Sequence, residues 1–302
     1  MVRVAHVLEF ESVRKSYGSN VVLDGLGFVV RPGEMFGFVG ANGAGKTTTM
    51  RIALGLVSAD AGEVRWRGRP LDLRARRRIG YMPEERGLYP KMRVVEQLAY
   101  FAQLHGMDKA PATASAESWV ERLGVKYGPK DSLDKLSLGN QQKVQLAAAL
   151  VHDPEILILD EPFSGLDPVG VDALAESLAD RCRAGVPVIF SSHQLDLVER
   201  LCDSVGILAG GRLVADGSVA QLRAREARRT LRVVVPGAWP GWLDGVPGVR
   251  IVSDRDGEVL LQLDDAARDQ DVLAAAQRTG RVEHFGWLSP TLTELFREAV
   301  AP

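Results

Sequence analysis

The run Gly40-Ala41-Asn42-Gly43-Ala44-Gly45-Lys46-Thr47 carries the strongest chemical signal in the chain. Its spacing, G-x-x-x-x-G-K-[ST], lets successive backbone N–H groups turn inward around a row of phosphates. The lysine balances the charge of the terminal phosphates, and the threonine hydroxyl can ligate a divalent cation. Asn42, Gly43, Ala44, Gly45, Lys46, Thr47 and the adjoining Thr48 are therefore candidates for nucleotide binding. The flanks agree with this: residues 36–39 read as a buried strand and 47–56 as a helix, the order a phosphate loop requires.

Such a loop needs a carboxylate to complete the metal site. The apolar stretch Ile156-Leu157-Ile158-Leu159 ends in Asp160-Glu161. Strand ends emerge beside the phosphate loop in parallel α/β sheets, so Asp160 is placed to hold Mg²⁺ through water. Glu161, one residue further, points elsewhere and can polarise an attacking water.

The elements around these residues read as an α/β fold. Residues 8–39 come in short β-rich bursts broken by Gly18-Ser19-Asn20 and Arg31-Pro32-Gly33, which predicts strands joined by tight turns. Helical patterns at 94–105, 114–123 and 141–151 predict a helical insert over about 88–150. Strands at 155–159, 186–190 and 204–208 alternate with helices at 170–183 and 194–201, as in a mostly parallel sheet covered by helices. After about residue 229 the texture changes. Strands at 231–235, 250–253, 259–263 and 281–287, a turn at 254–257, a helix at 270–278 and a last helix with Ser289 as N-cap and Pro290 in its first turn predict a small α+β domain over 230–302.

Composition bounds the partners. The chain has 302 residues, 46% hydrophobic, and a formal net charge of -2, which offers no bulk attraction to nucleic acid or anionic lipid. Basic knots at 74–78 and 223–229 read as solvated faces. Cys182 and Cys202 form no CxxC pair and read as reduced and structural. No secretory signal is expected, and no apolar run approaches the roughly 20 residues that cross a bilayer. If the protein acts on a membrane, another chain must supply the passage.

Upstream of Asp160, the segment Leu136-Ser137-Leu138-Gly139-Asn140-Gln141-Gln142-Lys143 resembles the signature sequence of ABC ATPases, with Leu138 in place of the first glycine and Asn140 in place of the glutamine. Other pieces match that family in order. Tyr17 stands where an aromatic stacks on adenine, and Glu84 where most members carry a Q-loop glutamine with a metal contact. Ser164-Gly165-Leu166-Asp167 stands where the D-loop crosses between subunits, and His193 where the switch histidine meets the γ-phosphate. The resemblance spans about residues 5–220. It implies a P-loop NTPase core with a mostly parallel sheet, an antiparallel β subdomain and a helical insert in an ABC ATPase domain over 1–229, followed by the small α+β domain.

It further implies an ATPase that uses ATP and Mg²⁺, with Lys46, Glu161 and His193 catalytic and Thr47, Asp160 and Glu84 at the metal. Ser137, Gly139 and Asn140 would reach the nucleotide held by an opposite subunit in a head-to-tail homodimer. The stretch Pro83-Glu84-Glu85-Arg86-Gly87-Leu88-Tyr89 is similar to a bacterial exporter branch that includes sodium-extrusion and drug-resistance ATPases. The expected partner is an integral membrane subunit, the expected place the cytoplasmic face of the membrane, and no nucleic acid is expected. A translation-type ABC ATPase would carry two ATPase units and a DNA-maintenance type long coiled coils; a P-loop kinase or GTPase has no use for the signature, D-loop and switch histidine.

Overall fold

The computed structural model describes residues 7–85, 87–128, 131–225, 230–239, 241–255, 257–264, 267–288 and 291–300. By contacts the chain divides into two compact units, Met1–Val219 with Glu298–Pro302, and Ala220–Arg297.

The first unit opens with β1 (Leu8–Tyr17), β2 (Asn20–Val30) and β3 (Met35–Gly40), then α1 (Lys46–Leu54). Next come β4 (Ala61–Trp66), β5 (Arg69–Pro70), α2 (Leu73–Arg76) and β6 (Ile79–Met82). The helical insert is α3 (Val94–Leu104), α4 (Lys109–Arg122), a 3₁₀ turn at Leu133–Lys135 and α5 (Leu138–Leu150). The core resumes with β7 (Ile156–Asp160), α6 (Pro168–Arg183), β8 (Val188–Ser191), α7 (Leu195–Leu201), β9 (Ser204–Ala209) and β10 (Arg212–Ser218).

Two sheets form this unit. The larger has the order β10-β9-β3-β8-β7-β6, parallel throughout except for β10 at one edge. Its central strand β3 is buried at every residue, as befits a strand covered on both faces. The smaller sheet, β2-β1-β4-β5, is antiparallel. Aromatic stacking joins the two: Phe10 lies on Phe28 at 4.3 Å between ring centroids, and Phe28 on Phe36 and Phe38 at 5.0 and 5.3 Å. Truncating a buried Phe of this kind to Ala costs about 3–5 kcal/mol, so the stack fixes the small sheet against the strand that feeds the phosphate loop.

Several helices start earlier than their periodicity predicts, two of them because polar side chains rather than apolar faces define the ends. The helix expected at 141–151 begins at Leu138, since Ser137 caps it and accepts from Asn140 N–H. The helix expected from 170 begins at Pro168, with Asp167 accepting from Gly170 N–H at 2.7 Å. The helix expected from 114 begins at Lys109 and carries Pro111 in its first turn, where a missing N–H costs nothing. Strand β8 begins two residues later than the 186–190 pattern and reaches Ser191. Burial pushes the Cys182 thiol up to about 12 and the Cys202 thiol well above its ordinary value, so both free thiols are protonated.

The second unit holds most of α8 (Val219–Arg225), then β11 (Thr230–Val234), β12 (Val249–Arg255), β13 (Glu258–Leu263), α9 (Asp269–Thr279), β14 (His284–Trp287) and most of α10 (Leu292–Val300). Its antiparallel sheet has the order β12-β13-β11-β14. Leu231, Val233, Val259 and Leu261 pack with Val272, Ala275 and Ala276 of α9 into a core of its own. The strand expected at 281–287 is shorter, beginning at His284. The capping signal at Ser289 and Pro290, and Asp256 of the expected turn, lie outside the described residues.

Candidate nucleotide-hydrolysis site

The phosphate loop leaves the C-terminal end of β3 and enters α1 directly. Gly45, the residue before the helix, has φ 109°, and a Cβ there would come within 2.7 Å of Leu23 and 3.0 Å of the Val22 carbonyl. Only glycine fits both the backbone and the space. No side chain caps α1, so its first N–H groups remain for an anion. Lys46 is buried, and its ammonium donates to the carbonyls of Gly40 at 2.7 Å and Ala41 at 3.2 Å. Asn42, Gly43, Gly45, Lys46, Thr47, Thr48, Glu84 and Asp160 line one cavity of about 450 Å³ together with Asn20 and Val22.

Sheet register assembles the acidic side of the site. Asp160 at the end of β7 pairs with Ser191 at the end of β8. Thr47 Oγ1 donates to Asp160 Oδ2 at 2.8 Å, and Ser191 Oγ donates to Oδ1 at 2.5 Å. Ser191 Oγ also accepts the Glu161 N–H at 3.0 Å. Glu161 sits at φ 51°, a left-handed conformation costly for a residue with a Cβ. That twist separates its carboxylate from that of Asp160 and turns it to His193, whose Nδ1 lies 3.0 Å from Glu161 Oε2. Burial pushes the Glu161 carboxyl up from its ordinary value, opposed by the His193 contact and by the charge of Lys46.

A hydroxyl and a carboxylate oxygen in contact, facing a loop built for phosphates, are the hard oxygen ligands Mg²⁺ takes, with water and phosphate filling the remaining positions. Among the described residues no group of three or more His, Cys, Asp or Glu could hold a metal alone.

The signature segment lies elsewhere. Exposed Ser137 and half-buried Gly139 and Asn140 form the capped start of α5 and do not line the cavity. Asn140 Nδ2 donates to Ser137 Oγ at 3.1 Å, and Asn140 Oδ1 accepts from Lys126 N–H at 3.0 Å. A Cβ on Gly139 would meet the Gly165 carbonyl at 3.7 Å, so the signature and the 164–167 loop form one surface. Tyr17 ends β1, half exposed, with the Lys15 ammonium 5.4 Å from its ring centroid.

Comparison with known proteins decides what this assembly is. Residues 23–164 match the ABC transporter family, and residues 217–300 match the C-terminal domain of DrrA1-3-like ATP-binding proteins. YhaQ of Bacillus subtilis (strain 168), an uncharacterized ABC transporter ATP-binding protein, is 39% identical over 97% of this chain and 98% of its own length. The chain belongs to the ABC transporter ATP-binding proteins. The linearmycin resistance ATP-binding protein LnrL of the same organism is 32% identical over 96% of this chain and 97% of its own. The Nod factor export ATP-binding protein I of Paraburkholderia xenovorans (strain LB400) is 39% identical over 72% of this chain and 73% of its own. Among solved structures, an ATP-binding subunit of an ABC transporter superposes with a TM-score of 0.67 at 32% identity, over 72% of this chain and 92% of that one.

Membership makes this an ATP-hydrolysing subunit of an ABC transporter. No helix among the described residues is long and apolar enough to cross a membrane. In this ABC ATPase the structure also reveals polar residues that sequence reasoning passed over. Ser191 joins Asp160 to Glu161, as described above. Gln142 on α5 donates to the Glu161 and Pro162 carbonyls at 3.3 and 3.0 Å, and Gln145 to the Pro83 and Glu85 carbonyls at 2.6 and 3.3 Å. One helix thus braces both the Glu161 turn and the Glu84 segment. Buried glutamines on a helix behind a signature sequence were the available clue.

Proposed function

We propose that this chain drives a membrane exporter as a head-to-tail homodimer. In it each ATP is held by Lys46, Thr47 and Asp160 of one subunit and by Ser137, Gly139 and Asn140 of the other. The observation that carries this is the split site: the cavity gathers Lys46, Thr47, Asp160 and Glu84, whereas the capped start of α5 lies outside it. A helix N-terminus offers N–H groups and positive potential to an anion, so a second copy would close the γ-phosphate side. Tyr17 would stack on the adenine. Bound Mg²⁺ would neutralise developing phosphate charge, and Thr47 and Asp160 would hold it, Asp160 through water. Glu161 orients and deprotonates the attacking water, and His193 fixes the Glu161 carboxylate and meets the γ-phosphate.

Export as the direction of transport is supported by relatives whose names specify linearmycin resistance and Nod factor export. The working place would be the cytoplasmic face of the membrane, against an integral subunit and without nucleic acid. A groove of about 330 Å³, lined by Leu56, Tyr81, Pro83, Leu88, Phe101 and Gln145, lies between the core and the helical insert. Tyr89 stacks on Phe101 at 6.0 Å beside Tyr100, an aromatic cluster suited to the membrane partner. Affinity purification from membranes is expected to bring down an integral membrane protein; recovery with ribosomes or DNA instead would overturn the transporter role.

Glu84 links the two sites, lining the nucleotide cavity while its neighbours Pro83 and Glu85 are held by Gln145. A glutamine offers the metal and water a neutral amide, whereas a carboxylate attracts Mg²⁺ and repels the γ-phosphate. These opposed effects leave coupling as its main task. Glu84→Gln is expected to keep ATP binding and basal hydrolysis within several-fold of wild type and to change stimulation by transported substrate. Basal turnover falling as far as in Glu161→Gln would make Glu84 a direct participant in hydrolysis.

The C-terminal unit has its own core, and the described residues lining the nucleotide cavity all fall between Asn20 and Asp160. Removing residues 230–302 is expected to leave ATP binding intact and to alter dimer stability or regulation. Titration with a fluorescent ATP analogue tests this; a soluble truncated protein unable to bind would show that the unit completes the site.

A further inference from the structure

Between the β4–β5 hairpin and α2 lies a second cavity of about 450 Å³, separate from the nucleotide site and walled by arginines. Arg67, Arg69, Arg74 and Arg78 line it, with Trp66 and Asp72 among the other lining residues. Two of these cations are fixed in place. Arg67 Nη2 lies 2.7 Å from Glu155 Oε2, Arg78 pairs with the other oxygen of the same carboxylate, and the Arg67 guanidinium sits 5.1 Å from the centroid of the Trp66 ring. Glu155 therefore holds two guanidiniums with one charge. Asp72 is spent on capping α2, accepting from Ala75 N–H at 2.7 Å. Arg69 and Arg74 are exposed, and no carboxylate among the described residues pairs with them. Four arginines thus face two carboxylates, and the cavity carries net positive charge in a chain whose overall charge is -2.

Backbone conformation adds an independent observation. Arg67 and Gly68 make the two-residue turn of the β4–β5 hairpin, with φ 56° and 73°. Both central positions of such a turn favour Asn, Asp or Gly, so an arginine is an unfavourable choice for the turn itself. What the arginine gains there is its position over Trp66 and beside Glu155, at the cavity wall. Guanidinium forks bind phosphate oxygens in pairs, as ammonium groups do not, and among the described residues the cavity is lined by arginine without a single lysine.

Apolar neighbours indicate which phosphate. Leu73, between Asp72 and Arg74 at the start of α2, is 68% exposed. Leu56, which lines the groove proposed above for the membrane partner, is 67% exposed. That groove also contains Arg76, so α2 contributes to both cavities. Arginines interleaved with exposed leucines suit the boundary between lipid headgroups and acyl chains. We infer that the arginine cavity binds the phosphate of an anionic phospholipid headgroup, seating the ATPase on the bilayer surface beside its membrane subunit. The inference rests on the proposed membrane role, but its test uses the purified full chain without any membrane subunit, so a failed co-purification and a failed lipid interaction are separate results.

The experiment is co-sedimentation with vesicles of phosphatidylcholine alone and of phosphatidylcholine with anionic phosphatidylglycerol, for wild type and for Arg69→Gln/Arg74→Gln. Among the described residues neither arginine has an ion-pair partner to lose, and basal ATPase activity reports that the variant is folded. Binding is expected only to the anionic vesicles. Each juxtamembrane arginine contributes about fivefold in affinity, so the double variant is expected to bind roughly 25-fold more weakly. Arg250→Gln/Arg255→Gln on β12 serves as the control of equal charge and is expected to bind as wild type. Undiminished binding by the first variant, or an equal loss in the control, would overturn the assignment. Binding of inorganic phosphate that depends on Arg69 and Arg74, with neither vesicle type bound, would instead give the cavity to a free phosphorylated ligand and overturn the lipid.

Discussion

Glu161→Gln is expected to bind ATP with near-normal affinity and to hydrolyse it about 10²–10⁴ times more slowly, the usual contribution of a positioned general base. The substitution keeps the shape of a side chain that contacts His193 and removes only its ability to take a proton. The left-handed turn at φ 51°, held by the Ser191 hydroxyl and by Gln142, does not depend on the carboxylate, so the site stays assembled. ATP that binds without being cleaved should lock the proposed dimer shut, visible as a stable double-mass species on size-exclusion chromatography in ATP. Normal phosphate release by this variant would assign the base to another residue. A pH profile supplies a second check on the same group. Burial raises the Glu161 carboxyl above its ordinary 4.5, so the ionised base is present above that raised value and lost as pH falls through it. Turnover in wild type should therefore decline on acidification at a higher pH than an exposed glutamate would give, and this limb should vanish from the residual activity of Glu161→Gln.

The two halves of this site differ in how openly the sequence displays them. The phosphate loop is written in eight consecutive positions, because its backbone geometry depends on glycines at fixed offsets and on the residue types beside them. Asp160 and Glu161 were legible because a strand-length apolar run stops at them. What joins them was not. Ser191 stands 31 residues from Asp160, and only the pairing of β7 with β8 makes them neighbours. Register across a parallel sheet is a property of the whole fold, not of a window of residues. Gln142 and Gln145 posed the same difficulty, since a helix pattern shows that they are polar intruders on a buried face but not which loops they brace. Strand β4 also went unforeseen, although its burial does alternate; the charged Glu63 and Arg65 on either side of Val64 dilute the apolar signal of a short strand beside a small sheet's edge. Helix starts shifted for a local reason, because Ser137 and Asp167 set them by capping where periodicity follows only the apolar face.

Lys46→Ala is expected to abolish detectable ATP hydrolysis and to weaken ATP binding by at least tenfold, measured by phosphate release and by titration with a fluorescent nucleotide. Lys46 is buried, and the Gly40 and Ala41 carbonyls fix its ammonium inside the loop, so the cation is pre-positioned where the terminal phosphates must lie. A hydrogen bond to a charged group is worth about 1.5–3 kcal/mol, which alone gives roughly a 10- to 150-fold loss in affinity. Hydrolysis suffers further, since charge moves toward the β–γ bridge in the transition state and no other basic side chain among the described residues lines the cavity. Alanine also leaves two loop carbonyls without their donor, so circular dichroism and thermal melting must show the variant folded before the loss is assigned to chemistry. Lys46→Arg provides the control for charge alone. Its planar fork cannot reproduce a point charge held by two carbonyls, so it too should fail to hydrolyse ATP. Near-wild-type turnover in Lys46→Ala would remove the basis for placing ATP in this loop. Comparison with Glu161→Gln then separates the two functions of the site: loss of Lys46 strikes binding and cleavage together, whereas loss of the Glu161 charge should strike cleavage and leave the nucleotide in place.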